Sequence, residues 1–434
     1  MGFFYFYPMK KLLIAVSFSL FANSFAQFNV TVAIPAQLAD SDAYLYGFNG
    51  SKEILYSKAK TNNNVAVFKV DKQYVGMMRA FFKNANSSVN MVSENKDINL
   101  KIEVDSKNKI SNVVFQDKVN EMFSNDVEIQ KKQELILPAL IQIKDYYNAK
   151  DNFYKALESE ISLLSNNNIA SNDANPFLSF YQKNLKFSQQ EKTTEMSSED
   201  FINFFAKSGQ YLETSTLMKP ALINFLNVSK SNVEGGVDKL LAAVNLETPR
   251  GQTILSELIE IFSTYGMDKL KDKYLAEANG LKCTINDRLA STIKANKNTA
   301  IGAKLPNTTF TNVIHTKAKS LYDVKAAKKI VVFWSSTCSH CEAELPKLLE
   351  KYDKLKAQNI EIVGFSLDNN LEEFRSKANL YPWINDSEGK GWYSSYGEIY
   401  NVVATPTYFV VDANNVIISK PNHVGDVLDY LKVN

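Results

Sequence analysis

The apolar residues of this chain change their period twice along its length, and each change predicts a different architecture. In residues 27–115, "FNVTVAIP", "AYLYGF", "VAVFKV" and "INLKIEV" alternate or are rich in β-branched residues, with Asn, Asp, Ser and Gly clusters between them. Period two with turn residues predicts an antiparallel β domain. In residues 116–298 the period becomes helical. Ile254, Leu255, Leu258, Ile259 and Phe262 of "GQTILSELIEIFSTYG" share one face. "SSEDFINFFAKSG" offers Ser197 as an N-cap, acids at Glu199 and Asp200, and a stop at Gly209. From 299 to 434 strands and helices alternate: "KKIVVFW", then "CEAELPKLLEKYDKLKAQ", then "IEIVGFSLD", "NLEEFRSKA", the strand pair "TPTYFVVDANNVIISK" and a closing "VGDVLDYLK". That order predicts an α/β domain with right-handed crossovers. A multidomain chain results, as 434 residues already suggest.

The N-terminus carries a different signal. From Met9, Lys10 and Lys11 precede an apolar run from Leu12 to Phe21, and Ser24-Phe25-Ala26 supplies small residues at −3 and −1 of a cleavage site. This is a signal-peptide pattern over residues 1–26, too short for a comfortable transmembrane helix. The expectation is a periplasmic or secreted protein with no stable membrane anchor after cleavage. A net charge of +2 with scattered lysines gives no reason to expect a nucleic-acid partner.

An exported chain meets an oxidising compartment, yet three cysteines in 434 residues are not a disulfide framework. Two of them, Cys338 and Cys341, stand two residues apart, just past the strand that ends near Trp334. A helix pattern begins close to Ser339. Cys338 is thereby expected at a helix N-terminus, where free N–H groups and the positive end of the dipole favour thiolate. Cys341 follows one turn later on the same side. His340 between them can add positive charge or a hydrogen bond when the thiolate forms. The residues therefore read as a nucleophile, Cys338, and a resolving thiol, Cys341. A metal site needs about four ligands, and Cys283, His315 and His423 fall in no paired motif. No cofactor is implied. Glu342 and Glu344 read as helix-start capping and surface charge, and Cys283 as an inert thiol.

The stretches "VVFWSSTCSHCEAELPKL", "VGFSLDNN" and "YGEIYNVVATPTYFVVDANNVI" resemble the thioredoxin superfamily, and within it secreted TlpA/ResA-like thiol–disulfide oxidoreductases. The resemblance covers residues 299–434 and includes Pro346 in the helix after the pair. It implies a thioredoxin-like fold and a cis proline facing the cysteines, which is Pro406, preceded by Thr405. Thr405 would then offer its backbone to an extended substrate segment. It also implies a protein disulfide or thiol substrate and a redox partner. Two departures stand out. Val332 occupies the position of the buried acid of ordinary thioredoxins, and Thr337 the position of their tryptophan. The His340 dipeptide is similar to that of DsbA-type oxidants, whereas the framework is similar to TlpA/ResA-like reductases, so the direction of electron flow stays open. The N-terminal parts resemble the extensions that precede TlpA-like domains in exported bacterial proteins, which implies partner or substrate positioning. The alternative is a periplasmic binding or metal-chaperone protein without redox turnover; copper chaperones of the superfamily space their cysteines by three. Peroxidase chemistry would need an arginine beside the cysteine, and Arg375 is the only one after residue 299.

Overall fold

The computed structural model describes residues 28–166, 174–190 and 195–433. The signal-peptide segment lies outside the described residues.

Eight strands come first: β1 (Phe28–Ala33), β2 (Asp42–Asn49), β3 (Lys52–Lys60), β4 (Val65–Val70), β5 (Val75–Phe82), β6 (Ser87–Glu94), β7 (Ile98–Val104) and β8 (Ile110–Phe115). They form two four-stranded sheets, ordered β4-β1-β7-β8 and β3-β2-β5-β6. Strict alternation, as in β1 and β7, turns one side of each strand inward. Val30, Val32 and Phe68 of the first sheet share a core with Leu45, Met78 and Met91 of the second. The expected antiparallel pairing has one exception. β1 and β7 run parallel, Val30 opposite Ile98. The chain returns to the first sheet twice, as β4 on one side of β1 and, after β5 and β6 of the second sheet, as β7 on the other, and side-chain alternation does not reveal such returns.

The central region is helical: α1 (Lys118–Lys131), α2 (Leu137–Lys144), α3 (Asn152–Asn166), α4 (Pro176–Asn184), α5 (Ser198–Lys207), α6 (Met218–Val228), α7 (Val233–Val244), α8 (Pro249–Thr264), α9 (Asp268–Gly280) and α10 (Asp287–Asn298). Ser197 caps α5 in a capping box with Asp200. Thr248 caps α8, with Pro249 at its first turn. α8 is buried almost all round, including Glu257. That carboxylate faces Arg288 at 3.1 Å and accepts from the Ser51 N–H at 2.6 Å and the Ser51 hydroxyl at 2.7 Å. It thereby ties the β2–β3 turn to the helices. Gly50 in this turn has φ +65°, and a Cβ there would lie 2.3 Å from the Glu257 carboxylate, so both conformation and space require glycine.

The last part holds a five-stranded sheet, ordered β11-β10-β9-β12-β13, built from β9 (Lys328–Trp334), β10 (Ile360–Ser366), β11 (Ile384–Ser387), β12 (Thr407–Asp412) and β13 (Ile417–Ser419). β9, β10 and β11 are parallel, and β12 is antiparallel to β9. Central β9 is apolar on both faces. Ile330, Val332 and Trp334 pack with α11 (Ser339–Glu350) and α15 (Val424–Leu431), while Val331 and Phe333 pack with Tyr396 and Tyr400 of α14 (Ser395–Tyr400). α12 (Tyr352–Ala357) and α13 (Leu371–Ala378) complete the domain. The chain is thus multidomain, with β sheets, then helices, then an α/β unit. Tyr393 joins the first and last parts by stacking on Tyr46, ring centroids 4.7 Å apart. α10 packs against α14.

Candidate active site

A buried carboxylate holds the loop that leads from β9 into α11. Asp368, just past β10, accepts from the Ser335 hydroxyl at 2.8 Å and from the Ser336 N–H and hydroxyl, both at 2.9 Å. Ser366 donates to its other oxygen at 2.7 Å. The loop therefore delivers Cys338 in a fixed pose as the N-cap of α11, with extended backbone at φ −91°. Its sulfur accepts the Cys341 N–H at 3.2 Å, in the way a capping oxygen does.

The other contact of this sulfur comes from a distant part of the chain. Cys338 Sγ donates to the Thr405 carbonyl at 3.3 Å, and the Thr405–Pro406 bond is cis. Cys338, Cys341, Thr405 and Pro406 are therefore gathered at one end of the sheet. Cys338 is half-buried, whereas Cys341 is 1% exposed in the apolar cluster under α11. Burial, with the hydrogen bond to Cys338, pushes the Cys341 thiol up to about 12. His340 points to solvent and makes no hydrogen bond or ion pair with the described residues. Val332 is fully buried among apolar side chains.

Of the two acids that follow the cysteine pair, one acquires surroundings that the sequence reading did not foresee. Glu342 is surface charge as expected, exposed and paired with Lys377 at 2.8 Å. Glu344 is not. It is largely enclosed, accepting from the Tyr408 hydroxyl at 2.9 Å and the Val424 N–H at 3.1 Å, with His423 Nδ1 at 3.2 Å. Three residues beyond Cys341, it lies on the same helical face. That spacing was the available signal for Glu344; the approach of His423, 79 residues away, left none. Arg375 is exposed on α13. Cys283 belongs to the helical region, 3.3 Å from Gln252 Nε2. Among the described residues no group of three or more His, Cys, Asp or Glu is arranged to hold a metal, and no helix is long and apolar enough to cross a membrane.

The profile of the AhpC/TSA family matches residues 301–420. The chain is 28% identical over 124 residues to the thiol-disulfide oxidoreductase ResA of Bacillus thuringiensis subsp. konkukian, covering 28% of this chain and 68% of that protein. It is 30% identical over 113 residues to the thioredoxin-like protein YneN of Bacillus subtilis, covering 24% of this chain and 61% of the relative. Among solved structures, the thioredoxin domain of a thiol-disulfide oxidoreductase from Bacteroides vulgatus aligns with 31% of this chain and 99% of its own, at 27% identity and a TM-score of 0.29.

Proposed function

From a C-terminal domain that belongs to the thioredoxin superfamily, as a TlpA/ResA-like thiol–disulfide oxidoreductase, we propose that the chain exchanges disulfides with exported protein or small-thiol substrates through Cys338 and Cys341. The observation that carries this reading is the position of Cys338 Sγ, capping α11 while touching the carbonyl of Thr405.

The Cys338 thiolate attacks one sulfur of a substrate disulfide. A Cys338–substrate S–S bond forms, and the other substrate sulfur leaves as a thiolate that takes up a proton. Cys341 then gives its proton to Glu344 and attacks the Cys338 sulfur. The Cys338–Cys341 bond forms and the second substrate thiolate leaves. Two electrons pass from the pair to the substrate, the reverse sequence oxidises a substrate dithiol, and a separate redox partner resets the pair. Thr405, beside Pro406, offers backbone to an extended substrate. His340, exposed between the cysteines, meets the incoming partner.

Export is part of the same proposal, supported by the basic, apolar and small-residue succession of residues 1–26. The mature protein then begins at Gln27 and is periplasmic or secreted, which intact-mass measurement of the purified protein tests. Residues 27–115 and 116–298 are proposed as modules that position substrate or partner for residues 299–434. Activity is tested with insulin disulfides. Cys338→Ser abolishes exchange and Cys341→Ser accumulates a mixed disulfide, whereas wild-type activity in both variants refutes the proposal.

A further inference from the structure

α2 and α3 form a hairpin that stands apart from the hydrophobic cores. Gln133 Nε2, just before α2, donates to the Leu164 carbonyl near the end of α3 at 2.7 Å. At the other end the rings of Tyr147 and Phe153 meet edge to face, centroids 4.9 Å apart. The two helices are therefore antiparallel. Among the described residues, neither contributes a side chain to a core cluster of the sheets, the central helices or the α/β part. Leu137 and Leu140 on α2, and Leu157, Ile161 and Leu164 on α3, are the less exposed apolar positions. At i, i+3, i+4 and i+7 spacing these sides turn toward each other.

A second apolar stripe on each helix faces solvent. Ile136, Ala139, Ile143 and Tyr146 recur at i, i+3, i+7 and i+10, from the end of a π-helical turn (Lys132–Ile136) through α2 and into the turn after it. Phe153, Ala156 and Leu163 repeat this spacing on α3, with Glu160 at the remaining place. That is the a and d spacing of a helix seam. Each stripe is offset by about 100° from the inward side of its helix, in the same rotational sense. In antiparallel helices equal offsets fall on one face, so the two stripes form a single surface. The opposite face carries Glu134, Asp145, Lys155 and Glu158, with Ile141 as its large apolar group.

Area and charge identify what covers the apolar face. Leu135, Ile136, Ile143, Tyr146, Phe153 and Leu163 are 41–86% exposed. Side chains of this size at those exposures present about 500–900 Å². The largest apolar patch of an ordinary monomer is about 300–600 Å², and a stable complex buries about 800 Å² on each side. Residues 131–166 hold five lysines and five acids. A membrane-surface helix surrounds its apolar face with Lys and Arg, and a charged partner needs an opposite charge to meet; this hairpin offers neither. The chain's own remaining segments do not fill the face. Residues 167–173 and 191–194 contain one large apolar residue, Ile169, and the run Leu12–Phe21 is removed with the signal peptide proposed above. A neutral, seam-spaced surface on two antiparallel helices is complementary to itself.

We propose that this hairpin is a dimerisation arm, covered by the same face of a second copy of the chain. A two-fold axis brings the two faces together, and the four helices pack as a bundle. The proposal is independent of the redox reading, because no residue of the arm belongs to the cysteine site.

Sedimentation equilibrium of the mature chain between about 0.1 and 100 μM tests it. The expected result is a monomer–dimer transition within that range. Tyr146→Asp with Leu163→Asp, at the two most exposed seam positions, weakens association at least about 100-fold, the loss of two buried apolar side chains. Glu158→Ala on the opposite face leaves it unchanged. Circular dichroism and thermal unfolding matching the wild type show that the double variant folds. Independently of any variant, amide exchange of residues 136–146 and 153–163 should slow as wild-type concentration rises through the transition. Flotation with phosphatidylcholine–phosphatidylglycerol vesicles supplies the competing outcome. A chain that stays monomeric to about 100 μM, a dimer indifferent to the double variant, or vesicle binding lost in that variant would each overturn the arm while leaving the redox reading intact.

Discussion

The carboxylate of Glu344 accepts the hydroxyl of Tyr408 at 2.9 Å, joining the helix that carries both cysteines to the strand that follows Thr405-Pro406. The buried pair of groups has an electrical consequence. Burial first, and the neighbouring Glu344 charge second, push the Tyr408 phenol well above its ordinary range, so Tyr408 stays a donor at any working pH. Glu344 is thereby held in place one turn from the thiol that must lose a proton.

Glu344→Gln keeps the shape and removes the proton acceptor. The lifetime of the mixed disulfide on Cys338 should lengthen about 10–100-fold, within the usual range for a lost general base. Tyr408→Phe should lengthen it by less, about 3–10-fold, because the Val424 N–H still holds Glu344. Quenched-flow trapping with mass detection measures both; unchanged lifetimes would remove Glu344 from the mechanism.

The thiol of Cys341 is raised by burial to about 12 from an ordinary value of 9.0. Iodoacetamide at pH 8 should therefore modify Cys338 in the reduced folded protein and leave Cys341 untouched. The linkage has a definite sign. Below pH 9 the thiol is protonated in both folded and unfolded chains and stability does not depend on it. Between pH 9 and 12 the unfolded chain releases its proton first, so stability falls as pH rises. Comparing alkaline unfolding of the reduced protein with that of Cys341→Ala isolates this contribution.

Asp368 takes three hydrogen bonds from the Ser335–Ser336 loop. Asp368→Ala leaves these donors unmatched in a buried place and should cost about 2–3 kcal/mol. Urea unfolding measures the loss. Exchange should slow as well, since the loop no longer fixes the start of α11.

Arg288 sits between Glu257 and Glu260. Burial opposes ionisation of Glu260, but the Arg288 hydrogen bonds and charge outweigh it and hold the carboxyl below its ordinary value. This stability is present above the ordinary carboxylate range and is lost as pH falls through the lowered folded value. Arg288→Ala strands two buried carboxylates and should cost about 3–5 kcal/mol. The loss should shrink in acid, which thermal unfolding between pH 7 and pH 4 reads directly.

Local pattern was legible in the sequence, and contact between distant segments was not. Alternation marked β1 and β7, and the start of α11 at Ser339 could be read from the polar loop before it. The meeting of Cys338 with Thr405, 67 residues on, came only through family resemblance, because spacing says nothing about which loop returns to a given sheet end. Glu344 was read as surface because a helix-start acid usually is, and the hydroxyl that encloses it comes from β12. For the same reason the parallel β1–β7 pair and the Glu257–Ser51 tie were invisible. Periodicity tells which face of an element is buried and leaves its partner unnamed.

The central claim is that Cys338 and Cys341 cycle between dithiol and disulfide. Equilibrating the mature protein across a graded series of thiol–disulfide buffers, with acid quench and peptide mass detection, tests it most directly. The account predicts a single two-electron transition that converts two alkylatable thiols into one Cys338–Cys341 bond. Its midpoint also gives direction, with a value near about −270 mV meaning a reductase and one near about −120 mV an oxidant. Two cysteines that remain alkylatable thiols across the whole series would contradict it.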